Sequence, residues 1–292
     1  FYWLIVLLYK LTGSTSEFIS RFPTALSCTV MVFATYFFGK KAVGSKIFGL
    51  VSAFILLSSI WIVLFSHIAI LDMGFTALCT LSIYSAIITL FDVKEENKKY
   101  FWYLAYFFMG LSVLQKGLIG IIIPIMVTAL TFLAFRRGKE LFKPSFIIPG
   151  VIIFLIVALP WHIAAYIANG DIFIQDYFVK HHFARFLNSS LGINRKQPFL
   201  FYIPVLLIAF IPWVFSFISV LIRGVKALIK DFRATKSFKQ ILSNDTNDRK
   251  LIVFASIYFL SILLFFSVSS TKLPTYILPL FPAVSLITGY YW

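Results

Sequence analysis

Asp72 stands in the segment His67-Ile68-Ala69-Ile70-Leu71-Asp72-Met73, between two long apolar runs. A carboxylate held in hydrocarbon is costly, so it needs a cationic partner or a water-filled cavity. Otherwise it is an exposed residue capping the helix that follows. Lys116, in Val113-Leu114-Gln115-Lys116-Gly117-Leu118, sits between two apolar stretches with almost no loop. An ammonium at such a turn can meet a phosphate near the headgroup plane or simply snorkel to the interface. Spacing alone does not choose between them. Lys272 repeats the pattern in Ser269-Ser270-Thr271-Lys272-Leu273-Pro274-Thr275-Tyr276. The long stretch 166–198 adds Asp176, Tyr177, His181, His182 and Arg185, interleaved with Phe178, Phe183 and Phe186. It could lie over a cavity as an amphipathic segment, with a short helix at Ile172 to Phe186. Histidines near carboxylates could ligate a metal, but the spacing matches no closed zinc site, and at most one of two adjacent histidines on a helix faces a given ion. The chain has no glycine-rich phosphate loop, CxxC pair or nucleophile elbow, so soluble-nucleotide chemistry has no support.

The elements that must hold these groups are membrane helices. The chain of 292 residues is 60% hydrophobic and 13% charged, too little polar surface to cover a soluble domain of this size. Apolar runs of roughly 16 to 22 residues recur throughout, near the length a helix needs to cross the hydrocarbon core. Backbone groups in lipid must satisfy one another, and the period-two alternation of a transmembrane barrel is absent, so the runs are expected to be helical. The expectation is an all-α polytopic bundle of about nine transmembrane helices, forming one transmembrane domain over 1–292 truncated at both ends. Spans are expected at about 23–38, 47–66, 73–91, 100–115, 118–135, 146–165, 199–222, 251–269 and 274–292. Residues 1–12 are too short to span and suit the end of a span or an interfacial helix. Prolines fall at expected span ends: Pro23, Pro160, Pro198, Pro212 and Pro274. Cys28 and Cys79 lie inside apolar runs and suit packing better than a disulfide or metal site.

The formal charge of +15 could suggest a nucleic-acid partner, but its distribution says otherwise. Of the 26 lysines and arginines, 18 fall in alternate loops, ending with a basic loop at 223–250. By the positive-inside rule that side is cytoplasmic, which explains the charge without any polyanion. All four histidines, with Asp72, Lys116, Arg185 and Lys272, fall on the other side. The reactive side chains therefore gather at the extracytoplasmic face, where 166–198 is the long loop.

Several segments carry a resemblance, in order along the chain. They are Phe1-Tyr2-Trp3-Leu4, Ser16-Glu17-Phe18-Ile19-Ser20-Arg21-Phe22-Pro23, Leu71-Asp72-Met73, Gln115-Lys116-Gly117 and Ala158-Leu159-Pro160-Trp161-His162. Further on come Tyr177-Phe178-Val179-Lys180-His181-His182-Phe183-Ala184-Arg185-Phe186, Gln197-Pro198-Phe199, Ile211-Pro212-Trp213, and the run from Ser270 to Pro279. Together they make the chain resemble the polyprenyl-phosphate-dependent glycosyltransferases of the GT-C class, in the aminoarabinose transferase and protein mannosyltransferase-like family.

That resemblance implies an enzyme of a bacterial inner membrane, with its active face extracytoplasmic. It would pass a sugar from a polyprenyl-phosphate donor to lipid A, another envelope glycan or protein. The family's principal acidic residues would lie upstream of Phe1, so this chain alone is expected to be inactive. Carried over by position, Asp72 assists as an acid/base or its orienter, while Lys116, Arg185 and Lys272 hold the donor phosphate. His182 matches a position associated with a divalent metal, and no soluble cofactor is required. Glu17 and Arg21 also match, and suit a buried structural ion pair equally well. The rich phenylalanine content (35 residues) would line the carrier's tail, alongside ordinary interfacial belts. The alternative is a transporter or flippase of an anionic lipid-linked substrate, which uses the same cationic cavity without chemistry.

Overall fold

The computed structural model describes residues 1–175, 177, 197–235 and 246–292. Its main helices are α1 (Tyr2–Thr12), α2 (Glu17–Val43), α3 (Lys46–Ser58), α4 (Ile60–Ser66), α5 (Leu71–Ile87), α6 (Glu95–Lys116) and α7 (Ile119–Ala134). After the short turn α8 (Gly138–Leu141) come α9 (Pro144–Asn169), α10 (Asp171–Phe173) and α11 (Tyr202–Ala209). The last three are α12 (Val214–Thr235), α13 (Asn247–Val268) and α14 (Phe281–Tyr290).

Each of the nine expected spans is occupied by a helix or a broken helical pair. Among the described residues, four helices (α2, the α5 region to Leu90, α9 and α13) are long and apolar enough to cross a membrane alone. A fifth such span is the pair α3–α4, bent by 65°. The remaining stretches are shorter, more charged or interrupted, so the count of nine holds for the sequence segments and not for uninterrupted helices.

α5 is the axis of the bundle. It is apolar all round, and 83% of its apolar window is buried, against 17% for the peripheral α9. Helices α2, α6 and α7 and the 3-10 segment Pro274–Leu280 pack around it. α9 packs on α6, while α3 and α13 both pack against α14. Little hydrophobic drive exists between helices in lipid, so close packing of small residues matters. A Cβ on Gly120 would come within 2.5 Å of the Ser112 backbone, which holds α7 tight against α6.

The interruptions are where the structure departs from the hydropathy reading. The expected span 199–222 breaks into Phe199–Phe201, α11 and α12, because Pro212 removes a backbone donor within it. The α3–α4 bend lies against this break. The Ile60 N–H donates to the Ile211 carbonyl at 2.9 Å, and the Trp213 indole donates to the Ser58 hydroxyl at 2.8 Å. Backbone groups freed in one span are thereby met by the other, as lipid requires. Pro23 and Pro160 lie inside α2 and α9 and do not end them. Within a bundle neighbouring groups can satisfy the carbonyls a proline frees. Both ends of the basic stretch 223–250 are helical, in α12 to Thr235 and in α13 from Asn247. Arg223, Lys226, Lys230 and Arg233 continue α12, where a spacing of three and four residues puts them on one helical face.

Charged groups knit the loops at the end of α5 opposite Asp72. The Lys41 ammonium donates to the Asp92 carbonyl at 2.7 Å, Asn247 to the Asp92 carboxylate at 2.9 Å, and Lys143 to Glu95 at 2.8 Å. α5 with the 3-10 turn that follows it, Leu71–Leu90, has 20 residues and is about 30 Å long, the thickness of a hydrocarbon core.

Candidate functional site

Asp72 and Lys116 meet. Asp72 lies in the first turn of α5 and Lys116 is the last residue of α6, and the two form an ion pair. Their side chains are 18% and 16% exposed, so the pair is screened from bulk water yet reachable. Asp72 is not the cap of α5, whose N-cap is Ile70. The partner that a carboxylate needs at the membrane boundary is the lysine itself.

Local sequence explains this meeting. Gly117 has φ +72° and ψ −149°, a backbone region open almost solely to glycine. It ends α6 sharply and turns the chain into α7 with Lys116 at the tip. Gln115 then ties the two helices together, donating from Nε2 to the Leu71 carbonyl at 3.1 Å. The Thr76 hydroxyl returns to the Asp72 carbonyl at 2.8 Å, closing the first turn of α5.

Aromatic rings form the rest of the ammonium's surroundings. The Lys116 nitrogen lies 5.0 Å from the Phe75 ring centroid and 4.8 Å from that of Tyr276. Both are within cation–π range. Tyr276 lies in the run from Ser270 to Pro279 that carries part of the resemblance, but nothing in its type marks it as a site residue. Only the 3-10 path of Pro274–Leu280 against α5 carries its ring to Lys116.

Lys272 reaches the same end of the bundle without joining the ion pair. Its ammonium donates to the Ser269 carbonyl at 2.7 Å and the Gln197 carbonyl at 3.3 Å. Burial in this turn lowers its pKa below the ordinary lysine value. The Tyr202 hydroxyl donates to the next carbonyl, Leu273, at 3.2 Å, so the turn is pinned from 197–202. Arg185 and His182 lie outside the described residues, as do Asp176 and His181. Among the described residues no three His, Cys, Asp or Glu side chains come together as a metal site. Glu17 and Arg21 do pair, one turn apart on α2, but at 81% and 51% exposure the pair is not buried. Its place at the first turn of α2, on the bundle surface, explains the difference. Cys28 and Cys79 are buried free thiols within the core.

Among the described residues, grooves open between helices at two places. One, of about 570 Å³, runs between α7 and α13 and is lined by Met126, Leu130, Leu260, Leu264, Phe265 and Val268 among others. It is almost wholly apolar and ends at Val268, just before the Ser269–Lys272 turn. The other, of about 660 Å³, lies between the start of α2 and the end of α4.

Residues 1–163 match the family described as "Dolichyl-phosphate-mannose-protein mannosyltransferase". An uncharacterized protein of Aquifex aeolicus is 28% identical over 288 residues, which is 99% of this chain and 51% of that protein. An undecaprenyl phosphate-alpha-4-amino-4-deoxy-L-arabinose arabinosyl transferase of Pseudomonas fluorescens is 27% identical over 288 residues, again 99% of this chain but 46% of the relative. The chain thus spans about half the length of the curated relatives it matches. The crystal structure of ArnT from Cupriavidus metallidurans bound to undecaprenyl phosphate superposes with a TM-score of 0.80 at 22% identity, covering 98% of this chain and 48% of that one. The likeness shows the fold: an all-α, GT-C-like membrane bundle.

Proposed function

The chain belongs to the dolichyl-phosphate-mannose-protein mannosyltransferase family, and we propose that its protein moves a sugar from a polyprenyl-phosphate carrier to an acceptor at the extracytoplasmic face of a bacterial inner membrane. The observation that carries this is the Asp72–Lys116 pair, held where α5 begins and α6 ends and flanked by two aromatic rings. The names of the relatives support undecaprenyl phosphate as the carrier.

The chemistry is a direct displacement. An acceptor hydroxyl oxygen attacks the anomeric carbon, the bond from that carbon to the phosphate oxygen breaks, and polyprenyl phosphate leaves with the electron pair. An ammonium has three donors, so Lys116 can take a phosphate oxygen while still touching Asp72. As the leaving oxygen gains charge, that contact strengthens, which lowers the barrier. Because the phosphate then shares the ammonium's charge with Asp72, the carboxylate is left a better base for the acceptor proton or for orienting the group that takes it. Lys272 is the second phosphate donor. Its desolvated ammonium is now spent on two backbone carbonyls and would exchange the weaker, Gln197, for phosphate. Arg185 and His182, as a phosphate ligand and a metal ligand, complete the reading from the resemblance. The apolar groove between α7 and α13 suits the prenyl tail, since it ends beside the Lys272 turn.

The test uses the full protein in cells, wild type against Asp72→Ala and Lys116→Ala. Membrane lipids and envelope glycans are extracted and weighed by mass spectrometry. A polyprenyl-phosphate sugar that accumulates in the variants, while an envelope glycan, lipid A or protein loses the same mass, supports transfer and names the sugar. Unchanged pools, with folded protein present, would sink the assignment and favour a transporter.

A further inference from the structure

Cations at the basic end of the bundle are of two kinds. Some are tied to the protein: Lys41 bonds the Asp92 carbonyl, Lys98 and Lys143 pair with Glu95, and Arg137 pairs with Glu140. Arg223, Lys226, Lys230 and Arg233 of α12 are exposed and form no ion pair among the described residues. We infer that this face of α12 docks on anionic phospholipid in the leaflet at the basic end of the bundle, by the positive-inside rule the cytoplasmic one.

α12 has three sides. Phe217 and Val220 are buried, and a Cβ on Gly224 would stand 3.9 Å from the Tyr291 hydroxyl, so this side packs on the bundle. At 3.6 residues per turn the four cations share a second arc of about 80°. Beside it, over about 100°, lie Ile218, Leu221, Ile222, Val225 and Ile229, all of them exposed. An apolar arc bordered by cations is the pattern of a helix lying in the membrane surface. Between Leu221 and Thr235 the sequence sets these four cations against one acid, Asp231, so the stretch attracts negative charge.

Packing gives the depth of this face. Tyr290, next to Tyr291, holds its ring 6.4 Å from that of Phe48, in the first turn of α3, which opens with Lys46. Gly224 is therefore level with the Lys46 end of the bundle. From there α12 runs on to Thr235, about 16 Å further. Every described side chain from Val225 to Arg233 is exposed, with Val225 at 54% and Ile229 at 47%. An acidic protein or a free phosphate ion would meet the charge but leave Val225 and Ile229 in water. A zwitterionic lipid would cover the apolar arc but leave the cations without a counter-charge. An anionic phospholipid answers both, with its phosphate at the cations and its acyl chains under the apolar arc.

The experiment titrates the full protein in detergent with dioleoyl phosphatidylglycerol or dioleoyl phosphatidylcholine and counts bound lipids by native mass spectrometry. Wild type should bind phosphatidylglycerol the more tightly. A cation at an anionic surface is worth roughly fivefold in affinity, so Arg223→Gln with Lys226→Gln should weaken phosphatidylglycerol by about 25-fold and leave phosphatidylcholine alone. Lys46→Gln with Lys139→Gln removes the same charge from exposed positions elsewhere at this end and should bind phosphatidylglycerol as wild type does. Val225→Gln with Ile229→Gln keeps the charge and should weaken both lipids. All these positions are exposed, so unfolding temperatures without added lipid should match wild type. The assignment is overturned if the two cation pairs lose phosphatidylglycerol equally, since the attraction would then be diffuse. It is overturned as well if Val225→Gln with Ile229→Gln binds both lipids normally, or if millimolar inorganic phosphate displaces phosphatidylglycerol, since the ligand would then be a free anion. Wild-type binding by Arg223→Gln with Lys226→Gln would leave the α12 cations to some other acidic partner, and the lipid assignment would fall.

Discussion

The ammonium of Lys116 stands 4.8 Å from the ring centroid of Tyr276, a residue brought from the far end of the chain. A partly desolvated cation–π contact contributes about 0.5–2 kcal/mol. Tyr276→Phe keeps the ring and should bind undecaprenyl phosphate nearly as wild type does. Tyr276→Leu removes it and should weaken binding by roughly three- to thirtyfold. Equilibrium binding in nanodiscs distinguishes the two. A loss in both variants would point to the hydroxyl and not to the ring.

The ion pair predicts non-additive stability. Removing one member leaves a charge without its partner in a screened site, whereas removing both leaves none. Asp72→Asn and Lys116→Met should each lower the unfolding temperature in detergent, and the double variant should lose less than the sum. Coupling energies between contacting residues run at about 0.5–3 kcal/mol. Strict additivity would mean that the pair contributes nothing to the fold. Transfer should fall in all three variants, by about 10²–10⁴ for Asp72→Asn if the carboxylate is the base.

The brace between the two broken spans is open to a similar cycle. Trp213→Phe keeps a large ring but loses the 2.8 Å bond to Ser58. Ser58→Ala loses the same bond from the other side. Each should cost about 0.5–1.5 kcal/mol, with the double variant no worse than the poorer single. Thermal unfolding followed by tryptophan-independent light scattering gives the answer.

Gly74 tests how closely α5 and α6 must approach. A Cβ there would stand 2.7 Å from the Gln115 amide nitrogen, which now bonds Leu71. Gln115 is a flexible side chain and can move aside, so Gly74→Ala should fold. Its cost should fall on activity, because the tie between the helices carrying Asp72 and Lys116 is broken. Combining Gly74→Ala with Gln115→Ala relieves the clash without restoring the tie, and activity should stay low.

At the basic end, Lys143 and then Lys98 hold the Glu95 carboxyl down at about 2. A depressed carboxylate contributes stability above its unfolded pKa of about 4.3, and loses it as pH falls through the folded value. Wild type should therefore soften between about pH 4.5 and 2, and Glu95→Gln should flatten that part of the profile. The effect is small because the pair is exposed to solvent. Unfolding temperature against pH, in low and high salt, measures it.

What could be read from the sequence were properties that individual segments carry alone. Mean hydropathy of +0.93 and the recurring apolar runs imply a helical membrane bundle, because lipid leaves the backbone no other economy. The uneven placement of 18 of 26 cations among the loops implies a polarity for the bundle. It also separates Asp72, Lys116 and Lys272 from the solvating charges. What the sequence could not supply was partnership. Asp72 and Lys116 are 44 residues apart and meet only because α5 and α6 pack along their length. Tyr276 lies further still, and its ring reaches the ammonium only through the 3-10 path after Pro274. The bends at Ser59 and Pro212 were invisible to a hydropathy average, since a kinked apolar run and a straight one have the same composition. Composition is local and additive along the chain, whereas a site is a set of distances between segments, and those come from tertiary packing.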